Sequence, residues 1–218
     1  MKLAPLALSL LLAAAPAVAA DDVSKVNGSI TAEAGTTYGS LDTVNGSIKV
    51  ADGVTTQAVE TVNGGIRIGD GARTRAVSTV NGGIRIGRDV QVDGSIKAVN
   101  GSIFTDRGTV VRGSVETVNG GIGLVRTQLD GGVETVNGDI TVGVGSQLSG
   151  GITVRKPGFS ISFTPTRKPR VIVGPDAVVN GALRFDREVV LYVHSSARIG
   201  TVTGATAIRF DTDTAPQD

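Results

Sequence analysis

Three basic residues, Lys49, Arg67 and Arg85, recur at steps of 18, and each stands four places after the Asn of a V-N-G phrase. If the chain stacks repeat on repeat, they form a file with about 4.8 Å between members, the spacing of neighbouring strands. Like charges held that close repel unless something anionic lies across them. The chemistry this suggests is a groove for an acidic glycan or another polyanion. The competing reading is a solvated outward face, partly balanced by Asp42, Glu60 and Asp70. A second basic group, Arg155, Lys156, Arg167, Lys168 and Arg170, brackets Phe159, Ile161 and Phe163 in RKPGFSISFTPTRKPR at 155–170. That composition suits an anionic envelope surface, and equally a brace along the side of the fold.

Catalytic chemistry has less to draw on. Three places before each Asn stand Ser24, Asp42, Glu60, Ser78, Lys97, Glu116 and Glu134. Glu116 and Glu134 are the pair a polysaccharide lyase or hydrolase would use, but no His or further acid accompanies them. His194 is the only histidine, and a metal there would need carboxylates from distant repeats. There is no cysteine, hence no thiol chemistry and no disulfide. Phosphate loops, paired Cys ligands and a G-x-S-x-G elbow are absent as well. No catalytic residue, metal or cofactor is expected. N-G-S at Asn27, Asn45 and Asn100 matches a glycosylation acceptor, but a tight turn selects the same triplet.

The elements that must position these residues come from the repeat itself. V-N-G followed by Ser, Gly or Asp and then Ile occurs seven times, with Asn27, Asn45, Asn63, Asn81, Asn100, Asn119 and Asn137 spaced by 18, 18, 18, 19, 19 and 18. Gly supplies 31 of 218 residues, and apolar residues alternate in Ile66-Arg67-Ile68 and Ile84-Arg85-Ile86, so the units are short strands rather than helices. Asn-Gly favours turns that demand positive φ. A related phrase at 92–96, 111–115 and 129–133 marks a second corner seven residues ahead of the first. A coil of about 18 residues with two or three corners predicts an all-β, single-stranded β-helix solenoid. Val62, Ile66 and Ile68 are then expected to stack on Val80, Ile84 and Ile86, and the Asn side chains to form a structural ladder.

The pattern fades after Val144, is interrupted by an inserted arm or hairpin at 155–170, and resumes for about two coils with corners at 179–183 and 202–206. Residues 21–210 form one β-helix domain on this reading, and 211–218 a disordered tail. The first 20 residues, one Lys and then an apolar run ending in Val18-Ala19-Ala20, have the layout of a signal peptide cleaved near Ala20. That places the protein in the periplasm or outside the cell, with no transmembrane span left. Loss of Lys2 leaves 20 basic against 20 acidic residues, a balance that argues against nucleic acid as a partner.

The phrases ETVNGGI, AVNGSI and ETVNGDI resemble the adhesin-repeat family of bacterial envelope proteins. VGPDAVVNGALRF and SSARIGTVTGA are similar to the polymer-forming bactofilin type of β-helix. Together the two resemblances span roughly residues 23–210. They imply an envelope-associated scaffold, adhesin-like or self-associating, or a binding module for an anionic polysaccharide or envelope surface.

Overall fold

The computed structural model describes residues 20–157 and 167–216. The expected leader, and Phe159, Ile161 and Phe163 of the arm, lie outside the described residues. The chain winds as a β-solenoid in which every strand pairs parallel with its counterparts in the neighbouring coils, in one 16-stranded and one 10-stranded sheet. One strand per coil in the second sheet gives ten coils. Among the described residues there is no helix, and so none long and apolar enough to cross a membrane.

Each coil has three sides. The first runs into the Asn corner, as in Ile96–Asn100 and Val115–Asn119; the second is a three-residue strand such as Ile84–Ile86; the third is a two-residue strand such as Gln91–Val92. In early coils the third side runs straight into the first, giving Thr55–Asn63 and Arg73–Asn81. From Asp93-Gly94 onward the second corner divides them, where the related phrase predicts it.

The core is a set of aliphatic files. Leu41, Val59, Val77, Ile96, Val115, Val133 and Ile152 line the first side, while Ile48, Ile66, Ile84, Ile103, Ile122 and Ile140 line the second. All are essentially inaccessible to solvent, so each coil buries its apolar set against its neighbours. A file of threonines sits inside the Asn corner, and Thr43, Thr61, Thr79 and Thr117 each donate to a corner glycine carbonyl of the preceding coil. This satisfies a polar group that burial would otherwise penalise.

Two sequence expectations are corrected here. Val62 and Val80 do not stack in the core: each is 39% exposed, in an outward file with Val44, Val99 and Val118. Val59 and Thr61 point inward in their place, because burying Val62 would bury Glu60 on the same face of the strand. Nor do the corner glycines generally need positive φ, which of the seven only Gly28 has. At Gly46, Gly64, Gly82, Gly101, Gly120 and Gly138 the requirement is space, since a Cβ would overlap the carbonyl oxygen of the glycine one coil earlier.

Positive φ belongs to the corner after the second side, at Gly53, Gly71, Gly108 and Gly145, with Asp89, Arg126 and Asp176 in the same conformation. Aspartate tolerates that region, whereas Arg126, at φ 42°, carries a Cβ penalty of about 1 kcal/mol. Arg126→Gly is therefore expected to raise the urea midpoint despite the entropy glycine adds to the unfolded chain. A lowered midpoint would show that the arginine side chain contributes more than its backbone costs.

Candidate functional site

The asparagines form one continuous ladder. Asn45 donates from Nδ2 to Oδ1 of Asn27 at 2.9 Å, and the same bond repeats upward through Asn63, Asn81, Asn100, Asn119 and Asn137 at 2.8–3.0 Å. It stops at Asn137 because the next coil's strand, Ile152–Val154, runs on into Arg155-Lys156, with no Asn to add a rung. Arg187, from the coil beyond, reaches down and donates to Asn137 Oδ1 at 2.8 Å and to the Val136 carbonyl at 3.2 Å. Every internal rung thereby donates one Nδ2–H and accepts at Oδ1 within the ladder, which suits it to structure.

The described feet of the arm are tied to the solenoid. Arg155 pairs with Glu134, Arg167 with Asp139 at 2.5 Å, and Lys168 with Glu188 at 2.9 Å. Arg170 donates its N–H to Asp139 and its guanidinium to the Pro216 carbonyl, and lies over the Tyr192 ring at 5.3 Å. Lys156 is exposed. Four of the five basic residues read from the sequence as anion-binding are thus engaged by the chain's own groups, the geometry of a brace. Surface ion pairs of this kind contribute little individually, but together they tie Arg155, Arg167 and Lys168 to the solenoid.

On the outward face of the first side, Glu116 and Glu134 are in register one coil apart. Each has its own partners: Lys97 at 3.2 Å and the Ser114 hydroxyl for Glu116, and Arg155 for Glu134. Partial burial pushes the Glu116 carboxyl up, but the Ser114 hydroxyl and the Lys97 ammonium outweigh it and leave it below the usual carboxylate range. A carboxyl held ionised is poorly suited to act as a general acid at neutral pH. Asp42, in the same file, is pushed the other way by burial and then by the Asp22 charge. Between this file and the exposed valines runs a shallow groove of about 540 Å³.

Lys49, Arg67 and Arg85 do come together. Strand register sets Lys49 beside Arg67, Arg67 beside Arg85, and Arg85 beside Phe104, with the Arg85 guanidinium 4.9 Å from the ring centroid. They face outward along a groove of about 520 Å³ whose floor is Ser47, Gly65, Gly83 and Ser102. Elsewhere His194 bonds the Ser196 hydroxyl at 2.8 Å and packs edge-on against Phe210. No group of His, Cys, Asp or Glu able to hold a metal occurs among the described residues.

Sequence reasoning missed Phe104 as the ring on which Arg85 packs, and Arg187 as the terminus of the ladder. The first was legible, since Phe104 holds the same place after Asn100 that Arg85 holds after Asn81. The second was not, because it depends on which side chain of a later coil reaches Asn137. No protein family, curated protein or solved structure matches the chain.

Proposed function

We propose that the protein is an exported, non-catalytic β-solenoid that serves as a structural, adhesin-like rod of the cell envelope. The observation that carries this reading is the unbroken seven-member asparagine ladder above a continuous aliphatic core. The repeat is devoted to one rigid body about 50 Å long at the strand spacing for ten coils. Its carboxylate pair is tied up in ion pairs with Lys97 and Arg155 on the outer face. The apolar leader adds the export route.

The test is cosedimentation of the mature chain, residues 21–218, with isolated cell-envelope material. Retention that survives washing supports the rod reading. Protein left wholly in the supernatant overturns it.

A further inference from the structure

The basic file differs from the charges that are paired off along the rod. Arg88, Lys97, Arg112, Arg155, Arg167 and Lys168 each form an ion pair with a carboxylate. Lys49, Arg67 and Arg85 form none, although they are stacked in register at about the 4.8 Å coil spacing. Three cations so placed repel one another in the free protein. Arg85 lies over the face of Phe104.

The floor of the groove is open to a ligand. At two other coils the N–H two places after the Asn is capped by a hydroxyl one coil earlier: Ser29 Oγ accepts from Ser47 N at 3.3 Å, and Ser102 Oγ from Gly121 N at 3.1 Å. Gly65 and Gly83 have no hydroxyl to offer, so the N–H groups of Gly83 and Ser102 above them lack a bonded partner among the described residues. Unused donors therefore stand beside unpaired cations, along a floor with no side chain at Gly65 and Gly83.

We propose that this groove binds a linear acidic polysaccharide with a carboxylate on successive sugar residues, laid along the solenoid axis. Lys49, Arg67 and Arg85 take the carboxylates, the Gly83 and Ser102 N–H groups take ring hydroxyls, and Phe104 supplies the apolar surface for a sugar ring at the end of the file. A straight row with one charge per coil matches a polymer with one charge per residue, and the neutral donors and aromatic ring suit a sugar better than a bare anion. The proposal rests on the envelope-rod reading only for the compartment in which such a polymer is met.

The experiment is calorimetric titration of the mature chain with an oligogalacturonate, its methyl-esterified form and inorganic polyphosphate. Binding is expected for the free acid and not for the ester, falling steeply with added salt. Arg67→Glu should weaken it at least about tenfold and Phe104→Ala several-fold, while Arg73→Glu, at an exposed unpaired arginine on another side, leaves it unchanged. Arg67→Gln, with a thermal melt of each variant, separates lost charge from lost fold. Absence of binding, binding that survives Arg67→Glu, or polyphosphate bound as tightly and indifferently to Phe104→Ala overturns the proposal. Absence of oligogalacturonate binding by the parent chain, with its envelope retention intact, removes this site and leaves the rod reading standing.

Discussion

Replacing Gly82 with alanine is expected to destabilise the solenoid by about 3 kcal/mol, the upper end of what overpacking costs. Gly82 has ordinary φ, so the loss does not come from backbone conformation. An alanine Cβ would fall inside the carbonyl oxygen of Gly64, directly below it. That oxygen accepts the Thr79 hydroxyl, and the adjoining Asn81 is bonded to Asn63 and Asn100. Moving the corner to make room therefore disturbs two rungs of the ladder and one buried hydroxyl together. Gly71→Ala is the control: φ is +67° there and no atom lies within 4 Å of the new Cβ, so only the left-handed penalty of about 1 kcal/mol applies. Urea denaturation of both variants decides the matter. Equal losses would mean that the corner carbonyl yields and that close approach is not what selects glycine.

Because each coil contacts only its neighbours, the damage should also be local. Amide exchange in Gly82→Ala is expected to rise most in the strands either side of residue 82 and to return to the parent rate towards the ends. Uniform acceleration would instead mark the rod as one cooperative unit.

The same corner shows what was legible in the sequence. Near-constant spacing of the Asn residues is enough to predict coils, parallel stacking and the amide ladder, since each is a property of repetition itself. The alternation Val59-Glu60-Thr61-Val62 admits two registers, and placing Val62 in the core selects the wrong one. Glu60 decides between them, because a buried carboxylate would need a partner that the repeat does not supply. The reason for Asn-Gly was illegible for another cause. Turn chemistry is local, whereas the oxygen that forbids a Cβ at Gly82 belongs to a residue 18 places away. At the basic file, the period aligns Lys49, Arg67 and Arg85, but whether each finds an acid depends on side-chain reach. Arg88 finds Asp70; its neighbour Arg85 finds a ring.

The substitution with the largest effect on assembly is expected at the two ends. A solenoid exposes unpaired strand edges there, and head-to-tail addition would extend it without limit. The first coil puts Lys25 where the following coils put the inward threonines, in register with Thr43. The last coil puts Arg209 at the end of the inward file that runs through Val142, Val173 and Val193. Lys25 bonds the Ser29 carbonyl at 2.9 Å and Arg209 the His194 carbonyl at 3.2 Å, so each cation is held at its own rim. Joining one end to the other would bring both towards a new core, at a cost of several kcal/mol for each charge left unpaired there. The parent chain should accordingly keep a single size by light scattering across concentration, and Lys25→Thr combined with Arg209→Val should grow into long particles. Each single variant still buries one charge at the joint and should stay discrete. Concentration-dependent growth of the parent, or a double variant that never grows, would show that these two cations are not what holds the ends apart.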